Sequence, residues 1–96
     1  MSAAYVPGPD VGVTVSPDGS TVYLAHLPEG PLLVLDGVAA LVWVEATTAP
    51  AAGWLERVAA TVSRSAGDIA ADVDTFVRDL RARRLLEETG GEDLDG

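Results

Sequence analysis

The spacing of apolar residues changes near Asp36, and this change constrains the fold more than any other feature of the chain. Before Asp36, apolar, β-branched and aromatic residues fall in short alternating stretches, as in half-buried strands. After Asp36, apolar residues recur three and four positions apart, as in amphipathic helices. The chain therefore predicts an α+β domain in which a small sheet precedes a group of helices.

Three strands are predicted before Asp36. Val11–Val15 is apolar at alternate positions and ends at residues 16–19, the tight-turn sequence SPDG. Residues 21–27 form a second strand that ends at the turn PEG, and residues 32–35 form a third. The strands would make an antiparallel meander, with the third strand at an edge if the strand order follows the sequence.

Three helices are predicted after the sheet. The first covers residues 37–47, and the Asp36 carboxylate would cap its first amides. The second begins at Trp54 and ends before residues 65–67, and the third is N-capped by Asp68. The third helix has an apolar stripe formed by Ile69, Val73, Phe76, Val77 and Leu80. The order β-β-β-α-α-α predicts a winged helix-turn-helix-like fold, with a three-stranded antiparallel sheet followed by three helices.

The two ends of the chain are predicted to lie outside this domain. Residues 1–10 contain Pro7, Gly8 and Pro9 and read as a flexible lead-in outside the core. Residues 89–96 are rich in glycine and acids and read as a disordered acidic tail. The folded domain would therefore span residues 11–88.

The composition excludes several classes of function. The net charge is −9, and all six basic residues are Arg, so a broad positive field for nucleic acid is missing. There is no Cys and His26 is the only His, a poor basis for a catalytic triad or a metal site. The N-terminus has no signal-peptide pattern, and no run approaches a membrane span. We expect a cytoplasmic protein that is not an enzyme and has no cofactor, metal, nucleic acid or membrane partner.

His26 has two interpretations, and two aromatic residues of the helices are predicted core residues. His26 is in register with Val22 and Leu24, so it could donate an N–H to a backbone carbonyl or titrate near neutrality as a switch. Trp43 and Phe76 are both predicted to pack in the core.

A group of arginines closes the third helix: Arg78, Arg81, Arg83 and Arg84. Cations are favourable there because of the helix dipole. They could also recognise a negatively charged partner.

The third strand is apolar on both faces, at Leu32, Leu33, Val34 and Leu35. A sheet with helices on one side needs only one apolar face, so something else could cover the second. As an edge, this strand would offer unpaired backbone groups on which a peptide strand could be added. Alternatively, it is a short central strand or one that a helix covers.

Two motifs resemble those of PqqD-like proteins, the RiPP recognition elements. Residues 34–43, VLDGVAALVW, are similar to the strand-to-helix signature of that family, in which Leu-Asn or Leu-Asp precedes small residues and an apolar pair ending in Trp. Residues 72–86, DVDTFVRDLRARRLL, resemble its closing helix. The resemblance covers about residues 11–88. The chain departs from the family at Arg84, where Gly is common, and lacks the Asn-Pro-Thr that many members have after the strand.

This resemblance implies a non-catalytic peptide-binding protein. The leader segment of a ribosomally synthesised precursor peptide would add to the third strand, beside the third helix, for presentation to a maturation enzyme such as a radical SAM enzyme, a cyclodehydratase or a lasso-peptide leader protease. The peptide-binding residues would be Leu32, Leu33, Val34, Leu35, Val73, Asp74, Val77, Arg78 and Arg81.

Two other functions are considered. The first is a winged-helix DNA-binding regulator, whose third helix would enter the major groove with its arginines. The turn between the first two strands has no basic residue, which argues against it. The second is a small hydrolase or isomerase, which the absence of Cys and the single His disfavour.

Overall fold

The computed structural model describes residues 3–48 and 50–88 as an α+β fold. Its elements are β1 (Tyr5–Pro7), β2 (Val11–Val15), β3 (Thr21–His26), β4 (Leu32–Asp36), α1 (Val38–Ala46), α2 (Trp54–Thr61), α3 (Ala66–Ala82) and β5 (Leu86–Glu88). Strands β2, β3 and β4 form an antiparallel sheet in that order, and β1 pairs antiparallel with β5 in a second sheet. The predicted three-stranded antiparallel meander and three helices are confirmed. Among these residues, no helix has the length and apolar character needed to cross a membrane.

The core lies between one face of the three-stranded sheet and the helices. Val22 and Leu24 of β3 are fully buried, and Trp43 of α1 is 2% exposed. They are joined by buried residues from β4, all three helices and the segment after α3: Leu35, Ala40, Val42, Val58, Ala59, Ile69, Val73, Val77, Leu80, Leu85 and Leu86. The apolar stripe predicted for α3 is thus confirmed at four of its five positions. The fifth, Phe76, is only half-buried against this core.

The lead-in prediction for residues 1–10 is wrong for residues 5–10. Tyr5–Pro7 forms β1, and Tyr5 packs against the core with its ring 6.1 Å from that of Trp54. Gly8 donates its N–H to the Leu85 carbonyl at 3.0 Å, and a Cβ at Gly8 would collide with the Arg84 carbonyl. Three-residue β1 shows no periodicity of its own, and its partner β5 lies about eighty positions away, so local pattern reading could not find the pair.

The helix starts also differ from those predicted. Asp36 ends β4, and Gly37 is the N-cap of α1 with no side-chain cap. For α3, the N-cap is Ser65 rather than Asp68, because the Ser65 hydroxyl accepts the Asp68 N–H at 3.2 Å. Asp68 instead places a carboxylate in the first turn, where the helix dipole favours it.

After α3 the chain turns at Arg84 and continues into β5. Arg84 adopts a left-handed φ of 62°, a conformation that glycine adopts at little cost. Strand β5 follows directly, with Leu85 and Leu86 buried. The predicted acidic tail, residues 89–96, lies outside the described residues.

We predict that Trp43→Ala lowers the free energy of unfolding by about 3–5 kcal/mol, because it empties a buried site in a small core. Phe76→Ala should cost less, about 1–2 kcal/mol, because this ring is only partly buried in the native state. Urea denaturation followed by circular dichroism measures both values. Equal losses at the two positions would contradict the burial difference.

We also predict an acid-sensitive contribution from the β2–β3 turn. The Asp18 carboxylate accepts hydrogen bonds from the Ser20 N–H (3.0 Å), the Ser20 hydroxyl (2.8 Å) and the Ser16 hydroxyl (2.8 Å), which lower its pKa from 3.8 to about 2. A lowered folded-state pKa stabilises the fold above the unfolded pKa, and this contribution is lost as the pH falls from about 4 towards 2. The melting temperature of Asp18→Asn should therefore lie below that of the wild type at pH 6 and approach it at pH 2. A gap that stays constant over this range would contradict the mechanism.

Candidate functional site

Strand β4 is a free edge of the three-stranded sheet. Gly37 donates its N–H to the Ser20 carbonyl at 3.2 Å, so Ser20 and Gly37 are a hydrogen-bonded pair. In an antiparallel ladder every second pair is hydrogen-bonded, so the next such pairs are Val22 with Leu35 and Leu24 with Leu33. Leu33 and Leu35 therefore direct their backbone groups towards β3. Leu32, Val34 and Asp36 direct theirs away from the sheet, and within residues 3–48 and 50–88 no strand pairs with that side.

The side chains of β4 divide between the two faces of the sheet. Leu33 and Leu35 lie on the helix-facing side with Leu24 and Val22. Leu32 and Val34 lie on the outer face and are 64% and 46% exposed. Packing against the helices thus explains the apolar residues on the inner face of β4, but not those on its outer face. The outer apolar face has no cover among the described residues.

Two hollows lie near the two ends of β4, and residues of α3 or its C-cap contribute to each. One, of about 290 Å³, is at the start of β4 and is lined by His26, Pro31, Leu32, Leu33, Arg83 and Leu85. The other, of about 140 Å³, lies just beyond the end of β4 and is lined by Val38, Val58, Val62, Arg64, Ile69, Asp72 and Val73. Asp72 and Arg83 share one flank of α3, because each residue turns the helix by about 100°. We call the space between this flank and β4 the edge cleft.

The predicted residues of α3 do not all face the edge cleft. Val73 and Val77 belong to the buried stripe, and Val73 lines the smaller hollow. Asp74 and Arg81 lie on the opposite flank: Asp74 lines a hollow with Tyr5, and Arg81 is 3.9 Å from Glu88 of β5. Arg78 points nearly opposite the buried stripe, and its side chain is 77% exposed. The structure therefore groups Leu33, Leu35, Val73 and Val77 around one core, leaves Leu32 and Val34 on the outer face of β4, and places Asp74, Arg78 and Arg81 elsewhere on α3.

The structure adds residues to the site that the sequence analysis did not assign to it. Asp72 and Arg83 each line one of the two hollows, and the helical spacing of four and seven positions places Phe76 on the same flank of α3. His26 and Leu85 join Arg83 in the larger hollow. The helical spacing could have grouped the three α3 residues. It could not show that their flank, rather than that of Asp74 and Arg81, faces β4.

His26 fixes the end of β3 to the end of α3. Its Nε2 lies 2.8 Å from the Arg83 carbonyl oxygen, and a carbonyl can only accept, so Nε2 donates. The predicted hydrogen bond to a backbone carbonyl is confirmed. This contact holds one wall of the larger hollow against the other.

Most arginines in the described residues are already paired. Arg57 joins α1 to α2 through Glu45 Oε1 at 2.7 Å, and it also donates to the Glu45 carbonyl and to carbonyls of the connecting loop. Arg78 and Arg83 each pair with the acid four residues earlier, at 3.0 Å. These are exposed i, i+4 pairs, which stabilise little but neutralise the local charge. Helix α3 therefore does not present an unbalanced positive surface.

A third hollow, of about 270 Å³, lies on the other flank of α3. Tyr5, Trp54 and Asp74 are among its lining residues. Partial burial raises the pKa of Tyr5, and the nearby Glu88 carboxylate raises it further. This hollow borders the β1–β5 sheet, away from the β4 edge.

Backbone groups of β4 and the side chains of the two hollows line the edge cleft. Within residues 3–48 and 50–88, no cluster of three or more acidic or His side chains is arranged to hold a metal ion. The larger hollow is lined by His26, already bonded through Nε2, and by Arg83, whose guanidinium pairs with Asp79. The cleft provides free backbone donors and acceptors beside two partly apolar hollows, which is the arrangement that accepts an extended peptide.

Comparison with known proteins adds no family. No protein-family model, no curated protein and no solved structure matches this chain.

Proposed function

We propose that this chain is a non-catalytic peptide-binding protein. It binds the leader segment of a ribosomally synthesised precursor peptide as an added strand on β4, and presents it in the cytoplasm to a modifying enzyme or leader protease. In this proposal the fold is of the winged helix-turn-helix-like type, and β4 with α3 forms the peptide site. The resemblance of residues 34–43 and 72–86 to PqqD-like proteins supports the choice of a leader peptide.

The observation that carries the proposal is the free edge of β4 beside α3. The outward N–H and C=O groups of Leu32, Val34 and Asp36 span about 13 Å, enough for four or five residues of an added strand. Such backbone bonds depend little on the sequence of the peptide. Affinity from one strand and a few pockets is typically micromolar to sub-micromolar, about −8 to −10 kcal/mol.

The two hollows indicate which peptide side chains are selected. In an added strand, alternate side chains enter the edge cleft on the same face as Leu33 and Leu35. The larger hollow can take a bulky apolar side chain against Leu33 and Leu85, with the Arg83 guanidinium beside it. We therefore expect a leader with apolar residues about four positions apart, one for each hollow, and an acidic residue two positions from the one at the larger hollow, on the same face of the added strand.

The first prediction separates strand addition from other modes of binding. Val34→Pro removes an outward N–H from β4, so it should weaken binding of a synthetic leader peptide at least about tenfold while the protein stays folded. Leu33→Pro removes an N–H directed to β3 and should instead destabilise the sheet. Isothermal titration calorimetry, after circular dichroism has established folding, measures both effects. The leader would be that of the precursor peptide encoded beside this gene.

The matched control is Val13→Pro, which removes an outward N–H from the opposite edge, β2. It should leave leader affinity unchanged, because β2 and β4 are separated by β3. Normal binding by folded Val34→Pro would exclude strand addition at β4. Tight binding of duplex DNA at physiological salt, with no binding of leader, would favour the DNA-binding regulator instead.

The second prediction tests which flank of α3 faces the peptide. Arg83→Gln should weaken binding of an acidic leader by about 1–2 kcal/mol and make the affinity less dependent on salt. Arg78→Gln is the control: it removes the same charge and an equivalent ion pair with Asp74, but from the far side of α3. Calorimetry at low and high salt compares them. A larger loss for Arg78→Gln would show that the peptide lies on the other side of the helix.

A further inference from the structure

Strand β2 forms the second free edge of the three-stranded sheet. Leu27 donates its N–H to Asp10 O at 2.7 Å, and Ser16 donates to Thr21 O at 2.9 Å. By the antiparallel alternation, Val11, Val13 and Val15 therefore direct their backbone groups away from β3. Within residues 3–48 and 50–88, no strand occupies that side of β2.

The helices leave the side chains of this edge partly uncovered. Val13 and Val15 lie on the same face of the sheet as their partners Leu24 and Val22. Those partners are fully buried, whereas Val13 is 37% and Val15 44% exposed. The cover therefore becomes thinner from β3 to β2: Val11 still packs against the core, and Val13 and Val15 form an open apolar border.

The sequence of β2 lacks the usual protection of an edge strand. Natural edges are blocked by charges, prolines or bulges, and Val11–Val15, the sequence VGVTV, contains no charge, no proline and an unbroken register with β3. Its three valines are placed symmetrically about Val13. In an antiparallel pair with a copy of the same strand centred on Val13, every valine therefore faces a valine, a self-complementary arrangement that suits a two-fold interface.

We propose that β2 pairs with β2 of a second copy of this chain, antiparallel, about a two-fold axis at Val13. Val13 then faces Val13 of the second copy, and Val11 faces Val15, with both N–H and C=O groups of each pair bonded across the axis. The two sheets join into one of six strands. Both β4 edges stay at its outer ends, so this pairing does not use the proposed peptide site.

The charge of the chain limits the strength of this pairing. Each copy carries a net charge of −9, and Asp10 precedes β2 directly. Repulsion between copies is screened by salt, whereas valine packing and backbone hydrogen bonds are not. The association should therefore be weak in low salt and tighten as salt is added.

Sedimentation equilibrium of the full chain, from micromolar to near-millimolar concentration, tests the proposal. The wild type should approach twice its monomer mass, and do so at lower concentration in high salt. Val13→Lys should abolish association, because it places a charge at the axis. Thr14→Lys, with the same charge on the outer face of the same strand, should associate like the wild type. A wild type that stays monomeric, or a Val13→Lys variant that still associates, would overturn the proposal.

Hydrogen exchange of the wild type tests the same edge without any substitution. As concentration rises, the amides of Val13 and Val15 should become protected, while that of Val34 keeps its rate. Protection at Val34 instead would place the contact at β4 and overturn the pairing through β2. Leader binding by Val13→Lys should match that of the wild type, so a failure of dimerisation is distinguishable from a failure of the proposed function.

Discussion

The rest of the structure depends on β3, which pairs with a strand on each side and also supplies the centre of the core. Its backbone bonds alternate between two neighbours: Thr21, Tyr23 and Ala25 pair with β2, and Val22 and Leu24 with β4. The same two inward residues, Val22 and Leu24, are the fully buried centre against which the helices pack. One strand thus sets both the register of the sheet and the position of the core. It also decides which backbone groups face outward at the two edges.

The net negative charge of the chain is not concentrated on α3, the helix beside the proposed site. Residues 66–84, α3 and the turn after it, hold four acids and four arginines, so this segment is balanced although the chain carries −9. Three of those arginines are paired with carboxylates on α3 or β5. Recognition at the edge cleft would therefore rest on backbone hydrogen bonds and apolar hollows, with Arg83 adding selectivity. Exposed ion pairs of this kind contribute little energy and exchange partners readily.

Sequence reading worked where the signal was local. Alternation in Val11–Val15 and helical spacing in residues 69–80 each identify an element from its own residues, and the structure has both. It failed at the lead-in, because β1 is defined by pairing with β5 and not by its own pattern. It also misplaced the cap of α3, since Ser65 and Asp68 are both good caps and only the hydrogen bond distinguishes them.

The sequence by itself determined the types of the elements from β2 to α3, the meander, the acidity and the apolar character of β4, because each follows from residues adjacent in the chain. The tertiary structure alone decided which flank of α3 faces β4. Asp72 and Arg83 occupy one flank, and Asp74 and Arg81 the other, and both sets are polar and helically spaced. The rotation of a helix about its axis is set by how its apolar stripe packs against distant residues such as Val58 and Leu24. That packing joins residues far apart in the chain, so a local sequence pattern cannot predict it.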